Sequence, residues 1–282
     1  MLATSLIAFR EGLEAALIIS IVLGYLRKTG RLSQSRFAWF GVAAAVIMSI
    51  LVALIIQWVG AELEGPAEQI FEGTTMLVAV GLLTWMIFWM RAQARSLKSS
   101  LEHEVDAALS TGQRWGLFTV TFTSVFREGV ETALFLSAAA FATDGPTTVI
   151  GTVIGLVIAA IVGYLLYAST VRLNLRQFFN VTSLLLLIFA AGLFARGIHE
   201  FQEAGLIFTS IEHVWDTSNL ISEESSTGQV LKTLIGYTSS PSLESVIAYV
   251  AYWLVVLLGM PLLIGRRTST PDIKPTGVAS AR

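Results

Sequence analysis

The sequence predicts an all-α integral membrane protein: seven transmembrane helices, an inverted three-plus-three repeat with one further C-terminal helix, the N-terminus outside and the C-terminus inside. Three observations lead there. Of 282 residues, 54% are hydrophobic and only 13% charged, against roughly 25% charged in a soluble domain. Seven stretches supply the about 20 mostly apolar residues that a hydrocarbon core requires of a helix. One nine-residue stretch occurs twice, each time inside such an apolar segment.

The predicted spans run 2–26, 37–59, 68–90, 116–141, 147–169, 178–201 and 244–265. Met1 to Ser5 has no basic region and leads straight into an apolar stretch holding Arg10, Glu11 and Glu14. A cleaved signal peptide looks different, so the first span is expected to stay. The first loop carries Arg27, Lys28, Arg31 and Arg36, the third Arg91, Arg95, Lys98 and Arg114, the fifth Arg172 and Arg176, and the tail Arg266, Arg267, Lys274 and Arg282. The alternate loops hold Glu62, Glu64, Asp144, Glu212, Asp216, Glu223 and Glu224, with Lys232 as their one basic residue. Cytoplasmic loops collect Lys and Arg, which sets the orientation. Trp39, Trp58, Trp85 and Trp89 flank spans and read as interfacial anchors. Gly151, Gly155 and Ala159 form a small-residue stripe on the fifth span, a mark of close helix packing.

The chain reads as one permease domain over 1–265: repeat one at about 1–91, repeat two at about 115–201, an outer segment at 202–243 and the last span at 244–265. In the outer segment, Leu206, Ile207, Phe208, Ile211 and Trp215 suggest a short surface helix. Glu102, His103, Glu104 and Asp106 in the third loop read as a solvated acidic face. The tail, 266–282, contains Pro271 and Pro275 and few apolar residues, and is expected to be disordered.

Composition excludes several classes of function. Cysteine is absent, which removes disulfide frameworks, thiolate metal sites and cysteine nucleophiles. A formal net charge of −2 shows none of the basic excess of a nucleic-acid binder.

The repeated stretch carries the chemistry. Phe9-Arg10-Glu11-Gly12-Leu13-Glu14-Ala15-Ala16-Leu17 aligns with Phe126-Arg127-Glu128-Gly129-Val130-Glu131-Thr132-Ala133-Leu134, identical at seven of nine positions. A weaker echo links Phe71-Glu72-Gly73-Thr74-Thr75 with Phe179-Asn180-Val181-Thr182-Ser183, so each unit holds three spans. Three is odd, so the second copy is inverted, and inverted repeats often set a transporter's site where the halves meet near the bilayer midplane. At a span centre, Arg10, Glu11 and Glu14 together cost roughly 8 to 10 kcal/mol, while the twelve Leu, Ile, Val and Phe of that span return only about 4 to 7 kcal/mol. These charges must therefore face protein or water, paired or bound to something. Glu11 and Glu14 share a helix face, and Arg10 stands one turn from Glu14. Glu128, Glu131 and Arg127 repeat this arrangement. Four carboxylates against two guanidiniums leave a charge of −2, suited to a multivalent cation. An all-carboxylate site favours hard ions; ferric iron, manganese, calcium and magnesium all remain open on ligand chemistry. Arg10 and Arg127 read as supporting partners, since a guanidinium repels a cation. Glu68 and Glu72 near the outer end of the third span, and His199, Glu200 and Glu203 ending the sixth, are candidate ligands of an outer site. Arg196 is the expected partner of Glu200.

At these motifs the sequence resembles the oxidase-dependent iron permease family, the fungal high-affinity iron permeases and their bacterial relatives. The likeness extends to Glu72-Gly73, to His199-Glu200-Phe201-Gln202-Glu203-Ala204-Gly205, to Trp215-Asp216-Thr217-Ser218 and to Gly236-Tyr237 with Pro241-Ser242-Leu243. The resemblance implies inward iron transport across a plasma membrane or bacterial cytoplasmic (inner) membrane, with the motif glutamates as iron ligands. It implies no permanently bound cofactor, iron being the substrate. It also implies that oxidation or delivery falls to separate partners, an extracytoplasmic iron-binding protein and an oxidase or peroxidase. Two other readings use the same carboxylates: a membrane di-iron carboxylate enzyme, although such centres normally include Glu-x-x-His pairs, and a transporter of another hard cation such as manganese.

Overall fold

The computed structural model describes residues 1–93, 97–110, 114–142, 145–168, 175–223 and 225–265. The expected basic and acidic residues Arg95, Asp144, Arg172, Glu224, Arg266, Arg267, Lys274 and Arg282, with the whole 266–282 tail, lie outside these, as do the side chains of Arg91, Lys98, Arg114 and Arg176. Nine α-helices are found among the described residues: α1 Leu2–Lys28, α2 Ser35–Glu62, α3 Pro66–Gln93, α4 Leu97–Ser110, α5 Arg114–Ala142, α6 Gly145–Ala168, α7 Leu175–Glu203, α8 Ser226–Ile235 and α9 Leu243–Gly265. Among these residues there is no strand. Helices satisfy their own backbone polar groups, the condition for crossing hydrocarbon.

Four stretches are both long and apolar enough to cross a membrane: Leu32–Glu62, Pro66–Met90, Pro146–Leu165 and Phe179–Glu203. α1 and α5, of 27 and 29 residues, have the length but carry the charged motifs. α9 contributes a shorter apolar stretch, Leu243–Gly259.

The helices pair across the repeat. α1 packs mainly on α6, α2 on α5, and α3 on α7. Exchanging α1, α2 and α3 for α5, α6 and α7 turns the α1–α6 pair into α5–α2 and leaves α3–α7 unchanged. The small-residue stripe of α6 explains the contact, as expected. A Cβ on Gly155 would come within 2.8 Å of the Phe9 backbone nitrogen, and one on Gly12 within 2.9 Å of Ala159 Cβ. α2 carries the counterpart stripe, Gly41, Ala45 and Ser49. There a Cβ on Gly41 would meet the Phe118 carbonyl oxygen at 2.7 Å, and one on Gly129 would run into the Ser49 hydroxyl. Small residues let these backbones approach, which is how helices gain van der Waals contact in lipid.

Two elements differ from expectation. The acidic stretch of the third loop lies on a helix, α4, whose Leu101 and Val105 are buried against Ile18, Val22, Leu26 and Leu117. His103, Glu104 and Asp106 are exposed on its other side, where the Tyr25 hydroxyl donates to Asp106 at 2.9 Å. In the outer segment, Leu206 to Trp215 is not helical, and Phe208 is 85% exposed. The backbone there is tied elsewhere: the Val214 N–H donates to the Pro241 carbonyl at 3.0 Å, Thr217 to Ser239 at 2.9 Å, and Leu243 to Ile211 at 3.1 Å. The short helix of this segment is α8 instead, N-capped by Ser225 accepting from Gly228 N at 3.0 Å and ended by Gly236 at φ 69°. Gly236 seats on Gly192 of α7, where an added Cβ would meet the Gly236 Cα at 2.7 Å. Trp39, Trp58 and Trp85 are exposed as anchors would be. Trp89 is not such an anchor, being half-buried beneath Arg127.

Candidate metal centre

Periodicity puts the carboxylates of each motif on one helix face, and the α1–α5 contact turns the two faces together. Arg10 is buried at 1% exposure, with Glu11 at 0%, Glu14 at 8%, Glu128 at 2% and Glu131 at 5%. One oxygen each of Glu11, Glu128 and Glu131 lies within 4.8 Å of the others. Among the described residues, no other three Asp, Glu or His side chains come so close. Glu14 is outside that triad and is held through Arg10, its Oε1 standing 3.2 Å from Arg10 Nη2.

The arginines hold the carboxylates but do not saturate them. Arg10 Nη1 donates to Glu11 Oε1 at 3.2 Å, and Nη2 reaches the thioethers of Met86 and Met90 at 3.5 and 3.0 Å. Arg127 donates to Glu128 Oε1 through Nη2 at 2.6 Å and Nε at 3.1 Å, and its Nε stands 3.8 Å from Glu131. The buried oxygens Glu11 Oε2, Glu14 Oε1, Glu128 Oε2 and Glu131 Oε2 have no hydrogen-bond partner. The 3.2 Å approach of Arg10 to Glu14 is thus an ion pair without hydrogen-bond alignment. An unsatisfied buried polar group costs about 1–3 kcal/mol, more when charged. Three converging carboxylates with unpartnered oxygens, and Glu14 one helix turn away, are suited to a cation that accepts several oxygen ligands.

The outer candidates do not gather into a comparable cluster. Glu200 is buried and paired with Arg196 Nε at 3.0 Å, the partner expected. His199 Nε2 lies 3.2 Å from Glu203 Oε1, the histidine partly buried and the glutamate exposed. Glu72 is half-buried beside Gly73, where α3 touches α7 closely enough that an added Cβ would lie 3.2 Å from Glu200 Cβ. Glu68 is exposed. His199 and Glu203 line a cavity of about 1000 Å³ between α7, α9 and the outer segment, together with Glu212, His213, Glu223 and Lys232. His213 carried no signal in the sequence, because nothing local tells where an irregular segment folds back. Glu223 is a tie within this cap. Burial raises its pKa, but hydrogen bonds from Ser239 N and Oγ, at 2.8 and 2.9 Å, and the Lys232 ammonium outweigh this and bring it below the ordinary value. Sequence reasoning also missed Met86, Trp89 and Met90 of α3. Their spacing was visible, but apolar residues near a span end look alike whether they face lipid or a guanidinium.

The iron permease FTR1 family matches residues 1–270. The chain belongs to the iron permease FTR1 family. The ferrous iron permease EfeU of Yersinia pestis is 38% identical over 260 residues, covering 92% of each chain. The protein of that name from Yersinia pseudotuberculosis is 39% identical over 255 residues, 90% of each. That from Shigella sonnei is 38% identical over 264 residues, 93% of this chain and 96% of its own. No solved structure matches the chain. An iron permease family and membrane-length apolar helices together describe a multi-pass membrane transporter rather than an enzyme.

Proposed function

We propose that this permease carries iron inward across the cytoplasmic membrane by passing it among Glu11, Glu14, Glu128 and Glu131. The observation that carries this reading is the buried triad of Glu11, Glu128 and Glu131, drawn from both motifs and within 4.8 Å, with free oxygens on all three. Ferrous iron is the cargo named for the relatives, and an oxygen-ligand site suits it as a substrate held only in passage. In this reading seven helices, α1–α3, α5–α7 and α9, cross the bilayer, with the N-terminus outside and the basic loops inside. Arg10 and Arg127 fix the carboxylates and lower the net charge of the empty site. Glu68, Glu72, His199, Glu200 and Glu203 attract the ion to the outer mouth. A separate extracytoplasmic protein delivers iron, and any oxidation belongs to an oxidase or peroxidase partner.

Uptake of radiolabelled iron into proteoliposomes tests the proposal. Glu14→Gln and Glu131→Gln are expected to abolish uptake at unchanged protein content of the vesicles. Retained uptake in either variant would refute the relay.

A further inference from the structure

The two motifs hold equivalent positions in the repeat but have unlike surroundings. The Arg10 side chain is 1% exposed, enclosed by Glu11, Glu14, Met86 and Met90. That of Arg127 is 47% exposed, its guanidinium 5.3 Å above the Trp89 ring. One and two turns nearer the start of α5 stand Thr123 and Thr119, both exposed, so that Thr119, Thr123 and Arg127 form an open polar stripe that runs from the exposed Trp115 in the first turn to the carboxylates. The corresponding positions of α1 are Leu2 and Leu6. The first repeat therefore has no such stripe. The threonine hydroxyls donate to the carbonyls of Trp115 and Thr119 at 3.0 and 2.9 Å, leaving oxygen lone pairs outward as acceptors. A guanidinium in mid-span does not face hydrocarbon; it faces protein or a water-filled space. Water is favoured here because the stripe is continuous, accepts hydrogen bonds and begins at Glu128 and Glu131, whose Oε2 atoms are buried without partners.

We infer that the ion leaves the carboxylates along this stripe, past Arg127 and Trp89 and then Thr123 and Thr119, to the side of the membrane where α5 begins. The stacked Arg127 and Trp89 form the gate at its head. The route rests on the permease reading and on the inward orientation proposed above.

Because the sequence contains no cysteine, single cysteines report on water access without background. Thr119→Cys and Thr123→Cys are compared with Val157→Cys on the exposed face of α6, 52% exposed, in right-side-out and inside-out vesicles treated with a charged, membrane-impermeant methanethiosulfonate. The expected result is modification of both threonine positions from the inner side at least tenfold faster than from the outer side, with Val157→Cys unreactive. In the Thr123→Cys background, Trp89→Ala is expected to raise the rate further and Trp89→Phe to restore it; equal rates in all three would remove Trp89 from the gate. Modification from the outer side alone, or rates no higher than at Val157→Cys, would overturn the route, the second result marking a face covered by lipid or by another copy of the chain. Labelling reads water access whatever the cargo, whereas uptake by Glu14→Gln reads the cargo, so either result stands or falls alone.

Discussion

Arg10 and Arg127 are the same residue of the same motif, yet their surroundings predict different losses on substitution. Arg10→Met leaves Glu11 and Glu14 buried without their guanidinium, and breaking a buried pair by removing one partner costs about 3–5 kcal/mol. Arg127 is half exposed, and on the proposed route water compensates part of what Arg127→Met removes. The melting temperature in detergent is expected to fall further for Arg10→Met, and the reverse order would contradict the geometry. At this scale the motif glutamates were legible because charge inside an apolar helix demands an explanation from the sequence alone. The triad itself was only partly legible: helical spacing groups Glu11 with Glu14, but the α1–α5 crossing chooses Glu11, not Glu14, to meet Glu128 and Glu131. Met86, Trp89 and Met90 were illegible in their role, since their partner arginines lie more than 35 positions away in the chain.

Among the elements, the α1–α6 contact makes a sharp prediction. Gly12→Ala drives a Cβ against Ala159 Cβ at 2.9 Å, a side-chain clash that Ala159→Gly relieves. The double variant is expected to regain the thermal stability and membrane yield lost by Gly12→Ala. Gly41→Ala meets the Phe118 carbonyl at 2.7 Å, a backbone clash that no side-chain change relieves, so no partner substitution is expected to rescue it. The outer cap gives a pH prediction. The folded pKa of Glu223 lies below its ordinary value, so its contribution to cap stability is present above about pH 4.3, the unfolded value, and fades as pH falls through the lower folded value. The Ser239 amide is expected to be protected from hydrogen exchange, relative to its intrinsic rate at each pH, at neutral pH and to lose that protection in acid; Glu223→Ala should lack it throughout, and equal protection of both proteins would contradict the tie. The bounds of the long helices were legible to within about three residues, because each apolar run ends near its helix end. α4 was overlooked because its acids suggest a loop, although Leu101, Val105 and Ala108 do follow helical spacing. The apolar run Leu206 to Trp215 misled in the other direction: its periodicity suits a helix, but Leu206 and Ile207 bond back to Phe201 while Ile211 and Val214 bond Leu243 and Pro241, pairings that sequence spacing does not reveal.

For the whole molecule, the cross-repeat pairs α1–α6, α2–α5 and α3–α7 explain how a doubled motif becomes one site. Each charged helix packs on a small-residue helix from the other half of the chain. Loop charge suggests an orientation in the membrane, while the asymmetry between an enclosed Arg10 and an open Arg127 required the packed structure. The central claim is that carboxylates from both repeats hold one iron ion together. A ligand that binds only the folded state raises stability, by about 2.7 kcal/mol at a hundredfold excess over Kd. The most direct measurement is therefore anaerobic thermal unfolding in detergent with and without ferrous iron, for the native chain and for Glu11→Gln and Glu128→Gln. The account predicts an iron-dependent rise in melting temperature for the native chain that is lost in each variant. A full rise retained when either repeat's glutamate is neutralised would contradict it.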